Sequence, residues 1–237
     1  MMSVKDRVTI ITGAAGTLGT VVTARFVAEG ARVAAVCHRE KEVEQLAEAL
    51  GEAQPDLCLT CDVTDEAQVE AMVGRVADEL GTPEILLNIV GGYAPPRPTV
   101  ELDEAAWDRM LQMNVKSVFL CSKHALRHMI PADYGRIVNI SSKIAIDLPG
   151  KSAAPVVAKA GVSAFTGSLA HELKGTGVAV SAVMPSVIDS PGMREAMPKA
   201  SHEKWVKPEQ IAETLLYLAS EPAGAINGAI VPCFGGV

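Results

Sequence analysis

This chain has no run of basic residues, and its formal net charge is -7. Nucleic-acid binding needs clustered Lys and Arg, so no nucleic-acid partner is expected. No long apolar stretch stands behind the charges of Met1-Met2-Ser3-Val4-Lys5-Asp6-Arg7. The apolar run that follows is short and enters a Gly-rich turn, so neither a signal peptide nor a membrane span is expected. The five cysteines are scattered and odd in number. That fits a reducing compartment better than a disulfide framework, and a cytoplasmic location is the expectation. Cys58 and Cys61 have CxxC spacing, but no second CxxC completes a zinc site. They lie in a predicted strand, where residues three apart face opposite sides. His124 and His128 stand at i, i+4 on a predicted helix without a third ligand nearby in sequence. No metal site is expected from either pair.

What the chain does contain is apolar. Hydrophobic residues make up 49% of its 237 residues, enough for one well-buried core and a single domain over 1–237. Apolar, β-branched runs alternate with helical patterns from end to end. Strands are predicted at Arg7–Thr12, Arg32–Cys37, Leu57–Cys61, Glu84–Asn88, Arg136–Ser141, Val178–Met184 and Ala229–Cys233. Helices are predicted at Leu18–Glu29, Lys41–Leu50, Glu66–Leu80, Glu104–Ile130, Ala153–Leu173 and Pro208–Ser220. Strands this continuously apolar are buried on both faces, as in an α/β fold whose parallel sheet is covered by helices. There is no linker, repeat or low-complexity segment. The loosest stretch, Pro185–Lys207, is long enough to be a lid or a binding loop.

Thr12-Gly13-Ala14-Ala15-Gly16-Thr17-Leu18-Gly19 joins the first strand to the first helix. Small residues there let backbone N–H groups approach a pyrophosphate, and the helix N-terminus adds partial positive charge. The turn follows a predicted strand and opens a helix, which is the context a dinucleotide site requires. The second strand ends Val36-Cys37-His38-Arg39. An acid at that end would hold the ribose 2′-hydroxyl of NAD, whereas basic residues suit the 2′-phosphate of NADP. With no acid at 37 or 38, and with His38 and Arg39 present, NADP is favoured and NAD remains open.

Together these motifs resemble the short-chain dehydrogenase/reductase family. Thr12–Gly19 is similar to its TGxxxGxG turn, with Gly13, Ala15, Thr17, Leu18 and Gly19 as cofactor contacts. Asp62-Val63 matches its adenine-contacting pair, and Asn88-Ile89-Val90-Gly91 resembles its NNAG segment. Asn114 stands like the family's helix asparagine. Ser142 precedes position 155 by the family's serine-to-tyrosine spacing, and Lys159 is four residues beyond it. Pro185-Ser186-Val187-Ile188-Asp189-Ser190-Pro191 resembles the PGxxxT segment at the nicotinamide end, with Pro185, Ile188 and Ser190 in contact positions. The resemblance covers essentially the whole chain. It implies a doubly wound, Rossmann-like sheet of about seven strands with helices on both faces, in homodimers or homotetramers that pair through Glu104–Ile130 and Ala153–Leu173.

The departures cluster at the reacting centre. Thr17 replaces the middle Gly of the turn, Ile89 and Val90 replace polar and small residues, and Ser186 replaces a Gly. Pro155 stands where the family carries its catalytic Tyr. In the family mechanism that Tyr exchanges the proton, the Ser hydrogen-bonds the reacting oxygen, the Lys holds the ribose and lowers the Tyr pKa, and the Asn holds a relay water. By position Ser142, Lys159 and Asn114 carry over three of these roles. If Ser152 caps the helix, Pro155 falls in its first turn, where a missing N–H costs nothing. Tyr93, in the loop after the fourth strand, is the one phenol with an approach to the crevice. Ala158-Lys159-Ala160 is also similar to enoyl- and dienoyl-thioester reductases of this fold, but Ser152 and Ile144 stand where those would place a tyrosine. The expected function is an NAD(P)-dependent oxidoreductase acting on a small carbonyl/alcohol pair or an activated C=C bond, with an altered proton donor. The alternative is a cofactor-binding pseudoenzyme with a structural or regulatory role. The loops Gly92–Val100 and Pro185–Lys207 are expected to select the substrate.

Overall fold

A computed structural model describes residues 4–236. Seven strands form one sheet in the order β3-β2-β1-β4-β5-β6-β7, with every pairing parallel. They are β1 (Val8–Thr12), β2 (Arg32–Cys37), β3 (Leu57–Thr60), β4 (Ile85–Asn88), β5 (Gly135–Ile140), β6 (Val178–Pro185) and β7 (Ile230–Cys233). The helices are α1 (Thr17–Ala28), α2 (Glu40–Leu50), α3 (Glu66–Leu80), α4 (Glu104–Leu111), α5 (Ser117–Met129), α6 (Ile144–Asp147), α7 (Ala153–Glu172), α8 (Pro191–Ala196) and α9 (Pro208–Ala219). No helix among the described residues is long and apolar enough to cross a membrane.

Side chains alternate across each strand, so neighbouring apolar residues feed two different cores. Ile10 and Leu86 pack with α3, α5 and α7 on one face, while Ile11, Ile85 and Leu87 pack with α1, α2 and α9 on the other. Cys58 and Cys61 divide the same way: Cys61 lies in the first cluster and Cys58 packs against the second. His124 is buried, with Nε2 3.5 Å from Glu66 Oε1. The strand order turns back between β1 and β4. A crevice opens at such a point, beyond the carboxyl ends of the strands.

Beneath the crevice runs a buried polar chain. Asn88 Nδ2 donates to Asn139 Oδ1 at 2.8 Å and to Ser122 Oγ at 3.4 Å. Asn139 Nδ2 donates to Thr166 Oγ1 at 2.9 Å, and that hydroxyl donates to Val162 O at 2.8 Å. Asn88 and Asn139 are direct partners across the β4–β5 ladder. The chain therefore fixes β4, β5, α5 and α7 relative to one another. Asn88, expected from its motif to meet the cofactor, is spent here and is off the cavity wall. A polar side chain at the last position of a buried strand must find a partner inside the protein.

The long helix expected over Glu104–Ile130 is interrupted. A π-helical turn, Gln112–Lys116, separates α4 from α5. Its cause is Asn114, whose side-chain Nδ2 donates to Met110 O at 2.9 Å. In an α-helix that carbonyl would accept Asn114's own backbone N–H, and a π turn reaches one residue further back instead. Pro155 does leave its helix intact, because it sits in the first turn of α7 and Val156 N still donates to Ser152 O at 3.0 Å. The cap differs from expectation, since Ser152 makes no side-chain capping bond and its hydroxyl points instead to Gly150 O at 3.5 Å. Pro185–Lys207 is also more ordered than a loop. Ser190 Oγ accepts from Met193 N at 3.3 Å to cap α8, with Pro191 at its start, and Ile188 bridges to Val206.

Asn139→Leu is expected to destabilise the fold by about 2–4 kcal/mol, because it strips partners from both Asn88 and Thr166 in a dry interior. Urea unfolding checks this; a loss under about 1 kcal/mol would show that these groups find other partners.

Candidate active site

A cavity of about 1330 Å³ fills the crevice. Its first wall is the turn from β1 to α1, where Gly13, Ala15, Thr17, Leu18 and Gly19 all line the space. The turn is tight because Gly19 lies against it: a Cβ there would overlap the Gly13 carbonyl oxygen. Gly13 itself has φ +68 and packs on Val90, with the Val90 nitrogen 3.2 Å from where its Cβ would be. Thr12 Oγ1 accepts from Ile89 N at 3.1 Å, which ties the exit of β4 to the turn. Most of the turn before α1 is glycine or alanine, which leaves backbone N–H groups open to a pyrophosphate at the helix N-terminus.

The far end, beside β2 and β3, is lined by His38, Glu42, Asp62, Val63 and Thr64. Asp62 is held below the usual carboxylate range, first by the Thr64 hydroxyl at 2.7 Å and then by the Thr64 backbone N–H. Burial pushes the Cys37 thiol up to about 11, so it is a neutral wall group rather than a reactive thiolate. Arg39 is exposed at the N-cap of α2 and off the cavity wall. Glu42, one turn along, is on the wall instead, and its carboxylate accepts from His38 N at 2.9 Å. Sequence reasoning passed over Glu42; its place at the third helical position, where acids reach back to free N–H groups, was the available signal.

At the centre stand Ser142, Pro155 and Lys159, all on the wall. Lys159 Nζ donates to Ile140 O at 2.8 Å, and the Ser141 hydroxyl braces the same turn of helix by donating to Lys159 O at 3.1 Å. Desolvation lowers the Lys159 ammonium to a pKa of about 8, with no carboxylate beside it to offset the burial. Gly91 leaves room next to it: the point where a Cβ would sit is 2.9 Å from Asn114 Oδ1 and 3.1 Å from Lys159 Nζ. Asn114 Oδ1 is fully buried and has no hydrogen-bond partner within the protein. An orphaned acceptor facing an ammonium across a gap is a seat for a water or a ligand hydroxyl. The backbone at Ser142 is drawn toward its side chain, with Ile144 N donating to Ser142 Oγ at 3.4 Å.

The last wall comes from Pro185, Ile188 and Ser190, all of which line the cavity, with Met193 and Met197 beyond them. Ser190 is already engaged as the cap of α8. Tyr93 also reaches the wall but stays 60% exposed. The structure thus brings together every expected site residue except Arg39 and Asn88, with Asn114 just behind the wall through its orphaned oxygen. A tight small-residue turn at one end and a lysine with an unpartnered amide oxygen at the centre fit a dinucleotide laid across the switch point.

A family model described as short chain dehydrogenase matches residues 7–201. The chain is 36% identical over 240 residues to cis-4-hydroxycyclohexanecarboxylate dehydrogenase from Sinomonas cyclohexanicum, covering 98% of this chain and 96% of that protein. It is 32% identical over 250 residues to a 3-oxoacyl-[acyl-carrier-protein] reductase from Thermotoga maritima, covering 100% and 99%. The crystal structure of levodione reductase superposes with a TM-score of 0.90 at 29% identity, over 98% of this chain and 97% of that one. With the fold, the nucleotide turn and the serine–lysine pair all in place, this chain belongs to the short-chain dehydrogenase/reductase family of oxidoreductases.

Proposed function

We propose that this protein is an NADP-dependent oxidoreductase that interconverts a small ketone and its secondary alcohol, with Lys159 in place of a phenol as the source of the proton. The observation that carries this reading is the lysine itself: on the cavity wall, with its ammonium lowered to a pKa of about 8, across a gap from the unpartnered Asn114 Oδ1. A general acid works best when its pKa lies near the working pH. Several relatives carry names of carbonyl/alcohol enzymes, among them meso-2,3-butanediol dehydrogenase of Serratia marcescens. That favours a carbonyl over an activated C=C bond.

In this reading Gly13–Gly19 and the start of α1 hold the pyrophosphate. Asp62 and Val63 meet the adenine, and Pro185, Ile188 and Ser190 line the nicotinamide end. When bound, the nicotinamide supplies or accepts the hydride. Ser142 donates a hydrogen bond to the reacting oxygen. Lys159 releases a proton toward that oxygen through a water in the space the absent phenol leaves, and Asn114 Oδ1 anchors that water. Arg39 swings from the N-cap of α2 onto the 2′-phosphate, helped by the positive end of that helix. Phe119 and Val157, exposed on α5 and α7, form part of the surface through which the chain pairs as a homodimer or homotetramer.

The proton source predicts a pH profile. Reduction needs the protonated ammonium, so kcat/KM for a ketone should be level below a pH of about 8 and fall above it, while alcohol oxidation rises through the same pH. Pro155→Tyr puts a phenol beside the lysine, which favours the phenolate. Turnover of generic ketones should then rise about tenfold or more. Native protein that is already fast and shows no break near that pH has another proton donor. If both proteins bind NADPH and neither transfers hydride to any ketone in a panel, the pseudoenzyme reading that Pro155 suggests replaces this one.

Cofactor choice is checked by calorimetry. NADPH should bind more tightly than NADH, and Arg39→Ala should remove most of the difference; tighter NADH binding reverses the assignment. Light scattering at micromolar concentration should give a dimeric or tetrameric mass, and a monomer would refute the pairing.

A further inference from the structure

One wall of the cavity is a single helix face that the nucleotide does not account for. Arg109 and Met113 are four residues apart, Gln112 lies between them at i+3, and all three line the cavity. That spacing stacks side chains on one side of a helix. Gly92 and Gly91 give the wall its position. A Cβ on Gly92 would stand 2.7 Å from Met113 Sδ, while the preceding Gly91 abuts Lys159 Nζ and Asn114 Oδ1. From the reacting centre the wall therefore runs past Met113 to Arg109, about one helical turn or ~5 Å further along the axis.

Most charged side chains along this cavity already have a hydrogen-bond or ion-pair partner. Lys143 meets Asp147 at 2.7 Å, Lys159 is bound to Ile140 O, Asp62 is bound by Thr64, and Glu42 takes the His38 N–H. Among the described residues, Arg109 is the one cation on the wall with neither an acidic partner nor a hydrogen bond, and it stands exposed at the mouth of the cavity. A basic residue at the end of a helix ordinarily answers free carbonyls there. That explanation fails for Arg109, because α4 runs on through the π turn into α5 and Asn114 already takes Met110 O. The cavity it lines carries apolar or neutral Tyr93, Pro96, Ile144, Met193 and Met197, and its charged Lys143 and Asp147 are paired with each other.

An apolar chamber with a lone guanidinium at its outer end and a proton-handling pair at its inner end is built for a molecule with two different ends. We propose that Arg109 binds a carboxylate on the substrate, so that the site takes oxo- and hydroxycarboxylic acids with a short apolar spacer in preference to neutral ketones. The planar guanidinium matches a carboxylate with two parallel hydrogen bonds and stays charged at every working pH. The proposal rests on the oxidoreductase reading for its inner end, but the contact it names is one of binding.

Binding and turnover are therefore measured separately. Calorimetry on the NADP⁺-saturated protein compares 5-oxohexanoate with its methyl ester, in native protein, Arg109→Met and Arg109→Lys. The acid should bind native protein at least about tenfold more tightly than the ester, as a charge-assisted bidentate pair permits. Arg109→Met should erase that preference and leave the ester unchanged, and Arg109→Lys should keep part of it. Equal affinity for acid and ester, no detectable binding of the acid, or a preference that survives Arg109→Met overturns the proposal. If the acid binds through Arg109 and no hydride is transferred to it, the carboxylate site stands and the catalytic reading falls.

Discussion

A sheet that must hold chemistry at one edge needs its central strands locked in register, and here a short chain of amides does that. Hydrophobic packing alone would let β4 and β5 slide, since Ile, Leu and Val are interchangeable along a buried strand. The amide of Asn88 cannot slide, because it has one partner on β5 and that partner has one on α7. A shift by one residue would bury these groups unpaired, at a few kcal/mol each. Everything above inherits this register. Gly91 is three residues past Asn88, Ser142 is three past Asn139, and Lys159 lies two turns before Thr166 on α7. These cavity-lining residues are thus carried at fixed offsets from one buried hydrogen-bonded line.

Above that line the groups differ in how freely they are held. Lys159 is braced at both ends, through Nζ to Ile140 O and through its own carbonyl to Ser141. Tyr93, Met193 and Met197 lie on the loop and lid side, where side chains adapt to what enters. The division suits an oxidoreductase whose chemistry is constant and whose substrate varies. Pro155 belongs to the rigid half. It stands in the first turn of α7 and leaves that helix undisturbed.

Much of this was legible in the primary structure, for a physical reason. Buried parallel strands announce themselves as unbroken apolar runs, and each of the seven lies within a residue or two of where periodicity puts it. The nucleotide turn was legible because its glycines answer to steric rules that allow few substitutes. What escaped were features decided by competition between equivalent partners. Whether Asn88 turns toward a cofactor or toward Asn139 depends on a contact 51 residues away. Whether Ser152 caps its helix depends on the turn before it, where Lys151 has φ 63. Glu42 rather than Arg39 reaches the cavity because helical phase, not proximity to the strand end, sets which side chain points inward.

The π turn at Gln112–Lys116 has a consequence for how this chain can change. A π turn takes up one residue more than an α turn while the helix on either side keeps its phase. With that extra residue, Arg109 and Met113 look into the cavity while Leu120, Cys121 and Ala125 look into the core. A single deletion between Met110 and Ser117 is therefore absorbed by closing the π turn to an α turn, whereas the same deletion early in α5 finds no spare residue and turns the rest of that helix by roughly 100°. Its charged flank would then face the sheet. The π turn is thus a place where a residue can be lost without reorienting the thirteen-residue α5.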